Sequence, residues 1–400
     1  MQLKLTYDDF MYKMLVFFIF VVNLSTAAAS CAIGLMTAMV LFHSIKYKSW
    51  PQIDKNIGYV FLIYFTLQII IAATSLDPQI SFREIAGEVH RCLLLFFAML
   101  YIKESSQLKN ILIAFLLASF INDIVGIYQT FILWERPKGL SHWPTMFASF
   151  LLMKFPIQIF IATLSMMPMW SRILSAITSA LTLLCLVASQ TRGAWLAFLI
   201  CLIFFIFICK KYRYVALKIL AAILVAFMLL AVKYPLLQDR LTSISDLNFG
   251  TNKERILMWE SAANIFIDYP VHGIGQNLFN KMYNTQYISP EAKERATKDD
   301  KGHDHPHNNF MKVLCEGGLI GALSFILLYG YFFRRFYLLY LKEQSAMAFS
   351  AGLTALLILL ALQLEGLTET NMNLSPVMRE YWFLIGMLMV SGNIIINGKS

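Results

Sequence analysis

Apolar runs of about 17 to 25 residues recur along this 400-residue chain with short polar breaks between them, and they limit its fold more than any other feature. A helix needs about 20 such residues to cross roughly 30 Å of hydrocarbon, and it satisfies its own backbone hydrogen bonds on the way. Membrane barrel strands are shorter and alternate in polarity, so helices are expected. Composition agrees. With 58% hydrophobic and 14% charged residues, the chain has more apolar surface than a soluble domain buries.

The runs lie near 12–28, 29–43, 56–76, 86–102, 110–132, 145–167, 173–190, 194–210, 215–233, 309–333, 345–363 and 380–397, which predicts an all-α integral membrane protein of about twelve spans. In the first run, Lys13, a short apolar core and the small residues from Ser25 to Ser30 also fit a signal peptide. The apolar run that follows at once favours a tight hairpin of two helices. The expected organisation is a block of helices over 1–233, a loop domain over 234–308 and a second block of helices over 309–400.

Lysine and arginine positions give the orientation. With the N-terminus in the cytoplasm, sixteen basic residues share that side: Lys4, Lys13, Lys46, Lys48, Lys55, Lys103, Lys109, Arg172, Lys210, Lys211, Arg213, Lys218, Arg334, Arg335, Lys342 and Lys399. The opposite short loops hold Arg83, Arg91, Arg136, Lys138, Arg192 and Arg379. Most of the net charge of +9 therefore reports topology, and no basic soluble face exists to bind nucleic acid. The long loop, Arg192, Glu365 and Glu369 all fall on the extracytoplasmic side. All six cysteines lie in or beside apolar runs, so no disulfide framework or CxxC metal knuckle is available.

Three segments gather polar chemistry on that side. In the long loop, Lys253 to Ile267 reads as a helix capped by Asn252, with Arg255 and Trp259 four apart on one face. Pro270-Val271-His272-Gly273-Ile274-Gly275 follows as a turn. Its glycines are no phosphate fingerprint, since no strand precedes them. His303-Asp304-His305-Pro306-His307-Asn308 then places three of the seven histidines where polar sequence runs back into apolar sequence.

These residues carry a resemblance. Ser189-Gln190-Thr191-Arg192-Gly193-Ala194-Trp195-Leu196 resembles the Arg-x-x-x-Leu motif of the O-antigen ligase family, which joins O-antigen to lipopolysaccharide. Arg255-x-x-x-Trp259 with Pro270-x-x-Gly273-x-Gly275 resembles that family's loop pattern, and His307-Asn308 followed by Gly318-Leu319-Ile320-Gly321 resembles its histidine motif. Ala322-Leu323 departs from the family, whose members often carry a threonine there. The resemblance implies a GT-C-like glycosyltransferase architecture in the bacterial inner membrane, acting on the periplasmic side. It implies undecaprenyl diphosphate-linked O-antigen as donor, lipid A-core as acceptor, and arginines in place of a metal.

Such a transfer has to stabilise charge gained by the diphosphate and to remove a proton from the attacking hydroxyl. Arginine suits the first task, because its fork stays charged and grips phosphate oxygens in pairs. Arg192 is the first choice, Arg255 the second and Arg240 a weaker third. Their plain alternatives are an interfacial anchor, a solvated helix face and an ordinary loop charge. Histidine suits the second task, since the side chain titrates near working pH. His307 is therefore assigned as general base, with a helix cap as its plain alternative. Asn308 is expected to orient the ring or a substrate hydroxyl, His305 is the understudy, and His303 faces solvent. A metal held by this cluster is not expected, because alternate loop residues point apart and the spacing is not that of a helical zinc motif. No cofactor is expected.

Other polar residues have plainer readings. Asp123 and Lys154 lie within apolar runs and are expected to pair with one another. Glu84, Glu88, His90 and Arg91 read as an amphipathic first turn. Glu365 and Glu369 read as a solvated loop, or as a group that meets the acceptor sugar or steers an arginine. An O-antigen polymerase uses the same donor with a second lipid-linked glycan as acceptor. A transporter of lipid-linked glycan, with Asp123 and Lys154 lining its pathway, is the alternative from another class. It should show repeat symmetry and broken helices in matching halves, and the polar residues here gather on one face instead of at mid-membrane.

Overall fold

A computed structural model describes residues 6–209, 213–233, 243, 246, 248–295, 305–342 and 345–394. Among the described residues the regular structure is helical throughout. In chain order the helices are α1 (Tyr7–Val21), α2 (Thr26–Tyr47), α3 (Lys55–Ala73), α4 (Pro78–Tyr101), α5 (Ser105–Phe131), α6 (Pro144–Thr163), α7 (Met169–Ala188), α8 (Arg192–Ile208) and α9 (Arg213–Lys233). The loop region contributes α10 (Gly250–Asp268), α11 (Phe279–Met282) and α12 (Pro290–Arg295); then follow α13 (Asn309–Tyr340), α14 (Ala346–Glu365) and α15 (Ser375–Ile394).

A helix forms at each predicted apolar run, and seven of the described helices are long and apolar enough to cross a membrane. Polar caps fix where they start. The first run divides because Ser25 accepts from the Ala28 amide and opens a new helix at Thr26. Similarly, α4 begins at Pro78, well before its predicted start, because Asp77 caps it and proline sits at the first position, where no amide is needed.

That early start carries Glu84, Glu88 and Arg91 into the fold. The turn expected to be amphipathic directs its polar groups into the bundle: Arg91 is buried and bonds Glu84 at 2.9 Å, and Glu88 accepts from the Tyr64 hydroxyl at 2.6 Å. Polar side chains within a bundle face inward because lipid offers them no partner. Asp123 and Lys154 obey the same rule as an ion pair at 3.5 Å, both side chains fully buried, with the Thr182 hydroxyl donating to the free oxygen of Asp123.

The main core lies where α15 packs on α4 and on α14. Phe61, Phe332 and Trp382 meet edge to face at its centre, with ring centroids 5.6 to 6.1 Å apart. One helix is broken. At Gly318, α13 takes a left-handed turn (φ 60°), and the loop residues 270–275 thread against the break. The amides of Ile274 and Gly275 donate to Cys315 and Glu316 at 3.0 and 2.9 Å, while those of Leu319 and Ile320 donate to Pro270 and Val271 at 2.8 and 3.1 Å. Only glycine fits the crossing: a Cβ on Gly273 would lie 2.3 Å from the Glu316 carbonyl carbon, and one on Gly318 would lie 2.5 Å from that of Val271.

Candidate active site

Four pieces of backbone converge at one end of the helices: the start of α8, the start of α10, residues 305–309 ahead of α13, and residues 366–374 between α14 and α15. The last is held against the third by backbone and side chain alike. The Asn309 amide donates to Gly366 at 2.7 Å, the Asn309 side chain to Asn371 at 2.7 Å, and the Asn308 amide to the Thr370 hydroxyl at 3.1 Å.

Glu369 sits at the centre. One oxygen accepts from His307 Nδ1 at 2.8 Å, and the other lies 3.8 Å from the Arg255 guanidinium. The carboxyl is almost fully buried, which by itself would raise its pKa, but the hydrogen bond and charge of His307, then Arg255 and His305, outweigh burial and hold it down at about 2. An ionised carboxylate only accepts, so in the neutral ring Nδ1 carries the hydrogen and Nε2 keeps its lone pair. That is the arrangement a general base needs, with a third group to fix the tautomer.

Backbone geometry aims this histidine. His307 adopts a left-handed conformation (φ 47°) just before the helix, and the Trp259 indole holds the preceding Pro306 carbonyl at 2.9 Å. Arg255 and Trp259, expected on one face of α10, thus reach two parts of the same constellation. The helix itself starts at Gly250, earlier than predicted. Asn252 is no cap: its amide donates to Ser243 and Asp246 at 2.7 and 2.8 Å, tying the chain before α10 to its first turn.

Asn308 has a different task from the one expected. Its side-chain oxygen accepts from Phe310 and Met311 at 2.9 and 3.1 Å and its nitrogen donates to Leu367 at 3.0 Å, so this side chain caps α13 instead of orienting the ring or a hydroxyl. His307 in turn is not the cap. His305 lies edge to face with His307, ring centroids 4.5 Å apart. The left-handed turn defeats the expectation that alternate loop residues point apart, and His305, His307 and Glu369 bring three ligand-type atoms within 4.8 Å of one another. Geometry therefore permits a three-ligand site, although the positive Arg255 beside Glu369 opposes a cation there. His303 and Arg240 lie outside the described residues.

Arg192 begins α8, where its charge adds to the positive end of the helix dipole. The guanidinium donates to the Ser243 carbonyl and hydroxyl at 3.0 and 2.8 Å and to the Thr251 hydroxyl at 2.9 Å, and it stacks 5.4 Å from the centre of Phe249. Arg136 supports this turn by gripping the Ser189 carbonyl at 3.1 and 2.9 Å. The next residue, Gly193, connects Arg192 to Glu369: a Cβ there would lie 1.9 Å from the hydroxyl of Thr368.

Residues 177–326 match the family model described as O-antigen ligase. Over those residues the chain is similar to the O-antigen ligase/polymerase family. Members are glycosyltransferase-like, and the matched O-antigen ligase region takes in Arg192, Arg255, His307 and Gly318. It ends before Glu369, which joins them. No curated protein matches the chain.

Proposed function

We propose that the chain is an O-antigen ligase that transfers a glycan from undecaprenyl diphosphate to a sugar hydroxyl of lipid A-core, at the periplasmic face of the bacterial inner membrane. The supporting observation is the His307–Glu369–Arg255 constellation, a base oriented by a carboxylate beside a fixed cation. Twelve crossings, with residues 234–308 as a periplasmic loop between helix blocks 1–233 and 309–400, complete this reading.

In the reaction the acceptor hydroxyl oxygen bonds to the anomeric carbon as the bond from that carbon to the diphosphate oxygen breaks. The electron pair leaves with the diphosphate, and the hydroxyl proton passes to Nε2 of His307. Glu369 stabilises the imidazolium so formed, and Arg192 and Arg255 offset the charge gained by the leaving group. Attack from the face opposite the leaving group inverts the anomeric centre. No metal enters the scheme, because the arginines supply the positive charge and one of them neutralises the carboxylate a metal would need.

Reconstitution of purified protein with undecaprenyl diphosphate glycan and lipid A-core tests the reading. Transfer to lipid A-core supports it, and lengthening of the lipid-linked glycan alone replaces it with a polymerase. Movement of the donor across the bilayer without a new glycosidic bond replaces it with a transporter. In the same assay, His307→Ala lowers turnover by roughly 100- to 10,000-fold, the range typical of a lost general base.

A further inference from the structure

A second polar feature lies beside the constellation and shares Asn309 with it. A cleft runs down between α3, α4 and the outer part of α13, with Gln276 and residues 372–373 at its top. Five charged side chains line it: Glu84, Glu88 and Arg91 from α4, and Lys312 and Glu316 from α13. Both cations already face a carboxylate, Arg91 with Glu84 at 2.9 Å and Lys312 with Glu316. The lining therefore carries one acid more than base, and it repels a diphosphate. It does not repel a sugar. Carboxylates and amides supply acceptors and donors for hydroxyls, and Tyr64 and Phe325 add aromatic surface to the lining. Gln276 Oε1 is buried without a hydrogen-bond partner at this cleft, ready to accept from a hydroxyl.

We propose that this cleft is the acceptor-saccharide subsite, which takes hydroxyl-bearing sugar residues and presents one hydroxyl to His307. The assignment rests on the transfer reaction above. Position supports it as well as charge. The cleft shares Asn309 and the 366–374 segment with His307 and Glu369, while Arg192 and Arg255 approach that segment from α8 and α10. An inverting displacement needs this separation, since nucleophile and leaving group occupy opposite faces of the anomeric carbon. A polar cleft among apolar helices also needs a purpose, because charge inside the bilayer is costly and usually lines a water-filled path or a site.

Two variants test it, each checked by thermal melting in detergent. Glu88→Gln with Asn373→Ala removes polar contacts, and Val313→Phe fills the cleft without touching a charge. The expected result is an acceptor KM raised at least about tenfold in either variant, with donor KM unchanged. Titration of delipidated core oligosaccharide into the purified protein, without donor, gives a second readout independent of transfer. Binding by the wild type that is lost in the variants supports the cleft even if no transfer occurs, in which case the reaction alone is wrong. Unchanged acceptor KM in a folded variant, a donor KM that rises in step, or oligosaccharide binding equal to wild type overturns the proposal.

Discussion

At the scale of single residues, Glu369 organises the site while matching no motif. Its folded pKa of about 2 lies below the ordinary value of 4.5, so the stability it contributes is present above about pH 4.5 and is lost as the pH falls through about 2. Glu369→Gln should therefore melt earlier at neutral pH, by a deficit on the order of 3 kcal/mol, and the deficit should close between pH 4.5 and 2. A deficit independent of pH would mean that packing alone matters there. The same variant frees the His307 tautomer, and turnover should fall with it. Arg192 makes a sharper prediction. Its fork reaches Ser243 and Thr251 through different nitrogens, a geometry that an ammonium lacks, so Arg192→Lys should be nearly as inactive as Arg192→Ala. Full turnover in the lysine variant would remove the bidentate role.

At the scale of elements, the crossing between 270–275 and the broken α13 joins residues 41 to 49 positions apart in sequence. Gly273→Ala places a methyl against backbone that has no side chain to move, at a positive φ (66°), and should cost at least about 2 kcal/mol on a melting curve. A melting point equal to wild type would show the crossing to be looser than drawn. Helix positions were legible from the apolar runs, because length and hydropathy decide them. Starts were less so. Helix α4 carries charge from Arg83 to Arg91, and a pattern of Glu and Arg at helical spacing looks the same whether it faces water or a polar cleft. The three motifs likewise pointed to Arg192, Arg255 and His307, yet nothing in the spacing told that Asn308 would be used up as a cap. Nor did it show that His305 would turn towards His307, since both follow from a left-handed residue that only the folded loop reveals. Glu369 was visible only as one acid of a pair between two apolar runs. What selects it is contact with residues more than sixty positions away.

At the scale of the whole molecule, polar groups are sorted by depth. The buried Asp123–Lys154 pair sits in a polar cluster with Thr182 and Gln158 inside the bundle, while the candidate chemistry gathers where α8 and α13 begin and α14 ends. If arginines do the work of a metal, transfer should survive a strong chelator. Loss of activity restored by one divalent ion would instead put that ion on His305, His307 and Glu369. The break at Gly318 gives this layout a mechanical side. It opens the backbone of α13 between its first turns and the long helix that follows, and residues 270–275 bridge the opening with hydrogen bonds to both sides. His307, just ahead of those turns, is therefore placed by the backbone of 270–275 as well as by its own helix.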